Sequence, residues 1–174
     1  MAPRGWNNFE RHPYVSCIPA IASANGNERA IAPPFRRHLG LPIVIYDYDD
    51  SESPQAFTRC SSMFELALAK AKLACARSGR RLGIGSEGGF AGEAITQIIV
   101  LYDRERGSFI AEAASIVSNF CVRVDPVGES HRDDACKRGQ LVSRLRIQPD
   151  AVRLSLVRIA TTRLTQRVAN MLIA

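Results

Sequence analysis

Several features that mark particular protein classes are missing from this chain. The five cysteines are scattered and none forms a CxxC pair, which argues against a disulfide framework or a zinc site and fits a reducing compartment. No apolar run approaches the roughly 20 residues of a transmembrane helix. The first residues also lack the apolar segment of a signal peptide. We therefore expect a cytoplasmic protein without a membrane partner.

Side-chain sets that use histidine for catalysis are missing as well. His12, His38 and His131 lie far apart in the sequence, in polar or basic surroundings. No Ser/His/Asp or Cys/His arrangement is visible, and the acidic neighbours of His131 fit no standard zinc spacing. The overall composition is that of a globular protein, with 174 residues of which 46% are hydrophobic and 23% charged. This is enough for one domain with a core of its own.

Apolar runs and helical patterns alternate along the chain. The helical patterns cover residues 28–40, where two prolines predict a kink or a late start, and residues 62–78. A polar turn over residues 103–107 joins two strands of a hairpin. The strands are predicted over residues 14–23, 41–48, 82–86, 95–102 and 108–113. This order predicts an α/β fold with a mixed, twisted sheet flanked by helices.

The net charge of +6 is unevenly distributed. Residues 137–174 contain eight basic residues and one acidic residue, whereas residues 1–136 contain fifteen basic and sixteen acidic residues. We therefore predict a single α/β domain over 1–136 and a basic tail over 137–174. The tail either packs on the domain, is solvated, or binds nucleic acid through phosphate contacts. Its arginines are not interleaved with aromatic residues, which favours the solvated alternative.

The second helix begins with a capping box. The Ser62 hydroxyl is expected to accept the backbone N–H of Glu65, while the Glu65 side chain reaches back to Ser62. Glu65 therefore has a sufficient local role, although it could also position a metal or a water. Lys70 follows five residues later, roughly 140° round the helix, so the two side chains should not face the same way. Lys70 is either a solvated lysine or part of a site.

The first strand leads into a turn of small and polar residues. Ser23 and Asn25 precede Gly26, and a helix follows. Backbone N–H groups of such a turn can approach a phosphate, and the N-terminus of a helix favours negative charge. Ser23 and Asn25 would add hydrogen bonds. The alternative is an ordinary strand–helix turn in which asparagine caps the helix.

Glu87 is a single carboxylate among glycines. The sequence from Leu82 to Phe90 reads LGIGSEGGF, and so many glycines are not needed for a strand. We interpret them as making room for a ligand phosphate with a hard cation, because Mg²⁺ binds a few carboxylates together with substrate phosphates. The alternative is a glycine-rich turn with an exposed glutamate.

These motifs, in this order, resemble the inosine/xanthosine triphosphate pyrophosphatase superfamily over residues 18–110. In that superfamily a strand leads into a Ser/Thr-Asn turn, matched here by IASAN, and a helix carries a glutamate and, five residues later, a lysine, matched by Glu65 and Lys70. The helix ends at a glycine, matched by Gly79, and a strand then leads to an acidic residue beside Ser/Gly, matched by Ser86 and Glu87. Where those enzymes have a lysine after the first turn, this chain has Asn27. The acidic pair of many members is reduced to Glu87.

A nearer resemblance is to an uncharacterised bacterial domain family. Its members share an IAP segment after the first turn, matched by residues 31–33, and an L-x-I/L-A-S-E-G-S-F signature, matched by residues 82–90. The function of that family is not established, so the resemblance implies a fold more than an activity.

Together, the resemblances imply a pyrophosphatase-like α/β fold and a Mg²⁺-dependent site. Glu87 and Glu65 would hold the metal and serve catalysis. The residues implied to bind the nucleotide phosphates are Ser23, Asn25, Arg29, Lys70 and Ser86. Two alternatives stay open: a nucleotide-binding module without catalysis, and a protein that associates with nucleic acid through residues 137–174. A homodimer is compatible with each of these.

Overall fold

The computed structural model describes residues 13–23, 26–47, 62–91, 94–117 and 149–171. Within these ranges the chain forms three helices and five strands. In chain order they are β1 (Ala20–Ser23), α1 (Glu28–Leu39), β2 (Val44–Asp47), α2 (Met63–Ser78), β3 (Leu82–Ala91), β4 (Ala94–Asp103), β5 (Ser108–Val117) and α3 (Pro149–Asn170).

The five strands form one mixed sheet in the order β2-β1-β3-β4-β5. Strand β1 pairs in parallel with β2 on one side and with β3 on the other, so that Ile21 lies level with Ile45 and Ile84. Strands β3, β4 and β5 are antiparallel neighbours. The predicted α/β class with a mixed sheet flanked by helices is therefore confirmed.

Helices α1 and α3 cover one face of the sheet and α2 covers the other. The main core lies between the sheet and the pair α1/α3, and it contains Phe35 of α1, Ile84 and Ile99 of the sheet, and Leu164 of α3. On the opposite face, Ala67 and other small residues of α2 pack on the central strands. None of the described helices is long and apolar enough to cross a membrane.

Strand β3 alternates strictly between these two faces. Leu82 and Ile84 point into the core beneath α1 and α3. Gly83 and Gly85 face α2, since a Cβ added at either residue would overlap the helix backbone. These two glycines therefore make room for α2, and the sequence interpretation that they accommodate a ligand is wrong for both.

The structure contains the elements predicted from the sequence, but several of them begin or end at other residues. Strand β3 does not end at Ser86 but continues to Ala91, because its pairing with β4 extends over the whole of both strands. Glu87 consequently lies within a strand, opposite Ile98, and not in a turn. Helix α1 runs continuously through Pro33 and Pro34. The hairpin turn lies at the predicted position, and β5 extends four residues beyond the predicted strand.

The C-terminal segment contributes a helix to the core. Helix α3 has a low overall amphipathic signal in sequence, since its arginines are spread around the helix, yet it buries one side completely. The buried apolar residues are Leu156, Val157, Ala160, Leu164 and Val168. On the same side Thr161 and Thr165 satisfy their hydroxyls by donating to backbone carbonyls one turn earlier, Val157 and Thr161.

Candidate functional site

The order of the strands reverses between β1 and β3, and a ligand crevice is expected at this point of the sheet. Chain connections leave β1 towards β2 through α1, and β2 returns to β3 through α2 on the opposite face. At such a reversal of strand order the helices diverge, and open α/β sheets bind their ligands beyond the carboxyl ends of the two strands. Continuing the pairing of Ile21 with Ile84 places Ser23, the last residue of β1, level with Ser86.

One wall of this crevice is a chain of three polar side chains from three elements. Ser86 of β3 is 8% exposed. The Asn27 amide nitrogen donates to the Ser86 hydroxyl at 3.1 Å, and Arg153 Nη1 of α3 donates to the Asn27 Oδ1 at 2.9 Å. The side chains therefore join the start of α1, the middle of β3 and the start of α3.

Asn27 occupies the N-cap position of α1 but does not cap the helix with its side chain. An asparagine in this position usually accepts a backbone N–H of the first turn, which stabilises a helix by about 1 kcal/mol. Here both polar atoms of the amide are directed to Ser86 and Arg153 instead. Such a departure from local preference is expected at functional sites.

The other wall is an ion pair between β3 and α2. Lys70 Nζ lies 2.7 Å from Glu87 Oε2, and each side chain is 21% exposed. The backbone N–H of Gly88 donates to Glu87 Oε1 at 3.1 Å. An N–H group with this partner is directed away from β4, towards the edge of β3 where β1 has ended. The carboxylate of Glu87 therefore lies at the crevice.

Gln97 of β4 adds a buried amide beside the first wall. It pairs with Gly88, on the same face of the sheet as Ser86, and a Cβ at Gly88 would overlap its side-chain amide. Gln97 is 5% exposed. Its Oε1 is buried and has no hydrogen-bond partner within the part of the chain that the structure describes.

Two of the residues predicted for the site lie away from these walls. The Ser62 hydroxyl accepts the Glu65 N–H at 3.2 Å, which confirms that half of the capping box. Glu65 is exposed, and it lies roughly 200° round α2 from Ala67, which packs on the sheet. The helix therefore does not bring Glu65 beside Glu87. Arg29 is exposed on the first turn of α1 and lies 3.9 Å from Glu28.

The structure describes only some of the remaining residues that were predicted for the site. Ser23 ends β1 at the crevice, whereas Asn25 and His131 lie outside the described residues. Among the residues that the structure does describe, no three or more His, Cys, Asp or Glu side chains gather as a metal site.

Three arginines of the predicted basic tail contact the protein itself. Besides Arg153, Arg163 donates to the Ala113 carbonyl at 3.0 Å, and Arg167 pairs with Glu112 at 3.0 Å. The contacts of Arg163 and Arg167 hold α3 against β5. Nothing in them favours nucleic acid as the partner of residues 137–174, which stays a prediction from charge alone.

Sequence reasoning missed Arg153, Asn27 and Gln97. Asn27 was noted only as the position where a lysine is lacking, and the structure places the positive charge of Arg153 directly beside it. The two are 126 residues apart, so no local spacing connects them. For Gln97 the available signal was its polarity within a mostly apolar strand.

Comparison with known proteins gives a fold and no family. No family model matches the chain, and no curated protein matches it significantly. Among solved structures, the chain is similar to protein VC0702 from Vibrio cholerae, with a TM-score of 0.55 and 14% sequence identity over 85% of this chain and 93% of that chain. At this level of identity the likeness concerns the fold alone.

Proposed function

We propose that the protein is a Mg²⁺-dependent nucleoside triphosphate pyrophosphatase whose site is the crevice between β1 and β3. The observation that carries this proposal is the Lys70–Glu87 pair beyond the carboxyl end of β1, while the N-terminus of α1 lies on the opposite wall, beside Ser86. A cation and a helix N-terminus at a reversal of strand order favour phosphate binding, and a carboxylate can hold Mg²⁺ beside the phosphate.

The cationic and backbone groups would bind the phosphates. Lys70 would neutralise part of the charge of a phosphate chain as a point charge. Ser23, the last residue of β1, and Asn25, which follows it in the sequence before α1, would supply hydrogen bonds. Arg29 is the weaker candidate for neutralising charge, since its side chain is 84% exposed.

The residues of the crevice fit a magnesium ion held partly by substrate. A carboxylate has about four lone-pair sites, and the contacts with Gly88 and Lys70 engage one on each oxygen of Glu87. Mg²⁺ usually retains several waters and binds one or two carboxylates plus substrate phosphates. Glu87 would be its protein ligand, and Glu65 would contribute only if its side chain turned back towards the sheet. When bound, the ion would polarise the phosphoanhydride and lower the pKa of a water.

The test compares two glutamates in similar settings. Glu87→Gln should lower kcat/KM for pyrophosphate release from ITP, XTP or another nucleoside triphosphate at least tenfold, because an amide cannot serve as an anionic ligand. Glu112→Gln is the matched control, since Glu112 is 24% exposed and also pairs with a cation, but it lies on β5. It should retain activity within about twofold.

A second candidate is a nucleotide-binding module without catalysis. The specific observation in its favour is that Lys70 already neutralises Glu87 at 2.7 Å, which weakens the attraction of the carboxylate for a metal. Nucleotide-dependent thermal stabilisation without turnover would favour this function over hydrolysis. Failure of the whole nucleotide panel to be hydrolysed or to shift the melting temperature would contradict both.

A further inference from the structure

We propose that the buried amide oxygen of Gln97 accepts a hydrogen bond from the nucleoside part of the ligand, so that β4 contributes a residue to the site. The inference rests on the proposed function for the identity of the ligand as a nucleotide. It adds a polar group that phosphate binding alone does not use.

The side chain of Gln97 extends from β4 across β3. Gln97 pairs with Gly88, and a Cβ added at Gly88 would lie 2.6 Å from Gln97 Oε1 and overlap the rest of the amide. The amide therefore occupies the space above β3 that a side chain at position 88 would take. Gly88 lies two residues beyond Ser86, which is level with Ser23 at the end of β1. The amide is thus directed from β4 towards the end of β1, where the crevice is expected.

The apolar surroundings of Gln97 do not call for a polar side chain. Its neighbours on the same face of β4 are Ile95 and Ile99, and Ala114 lies opposite it on β5. All three belong to the main core or pack against it. Methionine, which has a similar length and fills irregular space well, would occupy this position without a polar cost. The choice of glutamine therefore indicates a role for its amide.

The amide oxygen itself lacks a donor. Gln97 is 5% exposed, and its Oε1 is buried without a hydrogen-bond partner among the residues that the structure describes. Because a buried acceptor left unpaired is unfavourable, a donor from outside the chain is expected to satisfy it, either a ligand or an ordered water. Oε1 is covered by protein, so a ligand reaches it through a change of the Gln97 rotamer, and rotamer changes are common where side chains meet a binding partner.

The two parts of a nucleotide differ in what they offer to this atom. A fully ionised phosphate chain has no N–H or O–H group to donate, whereas inosine has the ring N1–H and the 2′- and 3′-hydroxyls of the ribose. Gln97 Oε1 can therefore accept a hydrogen bond from the nucleoside part only. A water would satisfy Oε1 equally well but would leave the affinity for a nucleotide independent of Gln97, so the two cases can be separated.

Gln97→Met removes the acceptor and keeps the length of the side chain. It should raise the dissociation constant of the purified full chain for ITP about tenfold, measured by calorimetry without Mg²⁺ so that no turnover occurs. Because the variant also removes an unpaired buried atom, its melting temperature without ligand should equal that of the wild type or rise. A lower melting temperature with an unchanged dissociation constant would show a structural role only and overturn the proposal.

Thr161→Val is the matched control for the loss of a buried polar group. Thr161 is fully buried, but its hydroxyl donates to the Val157 carbonyl at 2.6 Å within α3. Its replacement should leave the dissociation constant for ITP within about twofold. An equal loss of affinity in Thr161→Val and Gln97→Met would show a general effect of core substitution and contradict a contact of Gln97 with the ligand.

Two analogues of ITP identify the donor. The 2′,3′-dideoxy analogue lacks the ribose hydroxyls, and the 1-methyl analogue lacks the N1–H. The loss of affinity caused by Gln97→Met should disappear for the analogue that lacks the donor and persist for the other. Persistence of the loss for both analogues would overturn the hydrogen bond, because every candidate donor is absent from one of them. Tripolyphosphate should bind to the wild type and to Gln97→Met alike.

A measurement on the wild type keeps the test decisive if Gln97→Met fails to fold. The NMR resonances of the Gln97 side-chain amide should shift on addition of ITP, and much less on addition of tripolyphosphate. Resonances that stay in place at saturating ITP would overturn the contact.

The outcomes for Gln97 and for the proposed function are distinguishable. Hydrolysis of ITP by the wild type together with unchanged ITP binding in Gln97→Met would overturn the role of Gln97 and leave the pyrophosphatase proposal standing. No binding of ITP by the wild type would overturn both.

Discussion

Gly85→Ala is expected to lower the free energy of unfolding by roughly 3 kcal/mol, the upper part of the range for overpacked cores. A Cβ at position 85 would overlap the Ala67 carbonyl oxygen and lie 2.7 Å from the Ala71 backbone nitrogen. Both obstacles belong to the helix backbone, so no rotamer change can relieve them. Helix α2 would have to move off the sheet and lose part of its packing.

Gly89→Ala is the control on the same strand and the same face. Its added Cβ would lie 3.1 Å from Met63 Sδ, the far end of a flexible side chain that can give way. The change in the free energy of unfolding should stay within about 1 kcal/mol, as for most substitutions that leave the core intact. Urea denaturation of the two variants measures the difference, and equal stabilities would contradict the close approach of α2 to β3.

The glycines around Glu87 show where sequence reasoning reaches its limit. Their density correctly indicated that something approaches β3 closely, but the approaching group at Gly83 and Gly85 is helix α2, and at Gly88 it is the side chain of Gln97. A glycine indicates that its position has no room for a side chain, but it does not indicate which group approaches there. The pattern therefore predicted the close approach and not its partner.

The local signals of the fold were readable because they depend on neighbouring residues. The cap at Ser62 and the glycine after α2, Gly79, set the bounds of that helix, and the polar turn set the hairpin. The length of β3 was not readable, since it depends on pairing with β4 and not on its own composition. Helix α3 was missed for a similar reason: its arginines contact other elements, which the sequence pattern cannot show.

The candidate site could also be predicted only as far as it depends on neighbouring residues. Lys70 and Glu87 were each singled out, but their direct contact follows from the antiparallel course of α2 over β3, which brings Met63 near Gly89 and Ala71 near Gly83. The sequence had suggested Glu65 as the partner of Glu87, and helix geometry turns Glu65 to the outer side of α2.

The second variant with a large expected effect on stability is Arg81→Met, at the end of β3 and β4 that lies opposite to the crevice. Arg81 binds Asp103 through two hydrogen bonds, Nε to Oδ1 at 3.1 Å and Nη2 to Oδ2 at 2.7 Å. Asp103 is 1% exposed. It also accepts the backbone N–H groups of Glu105 and Arg106, which fixes the hairpin turn between β4 and β5. Arg81→Met would leave this buried carboxylate with only the more distant and more exposed Arg106, whose Nε lies 3.7 Å from Oδ2, and we expect a loss of about 3 kcal/mol.

The control for this variant is an exposed pair of the same kind. Arg167→Met removes an arginine that is 62% exposed and binds Glu112, and surface ion pairs contribute at most about 1 kcal/mol. Chemical denaturation at pH 7 should therefore rank Arg81→Met well below Arg167→Met in stability. A loss below about 1 kcal/mol in Arg81→Met would contradict the structural role of the Arg81–Asp103 pair.

The same pair gives stability a defined dependence on acid. Burial alone would raise the pKa of Asp103, but the hydrogen bonds and charge of Arg81, with the two backbone donors, outweigh it and hold the pKa below its ordinary value. The unfolded chain then binds a proton more readily than the folded one, so the contribution is complete above about pH 4, the unfolded aspartate pKa. It should be lost as pH falls further through the folded pKa.

Removing Arg81 should reverse this dependence, because burial, the largest influence on the pKa of Asp103, is then opposed only by the two backbone donors and the more distant Arg106. The pKa of Asp103 would rise, and Arg81→Met should begin to gain stability, relative to its own value at pH 7, as pH falls towards the raised pKa. Unfolding curves of the wild type and of Arg81→Met between pH 7 and pH 4 measure the stability difference, which should narrow on acidification. A difference that stays constant over this range would show that Asp103 does not titrate differently in the two proteins.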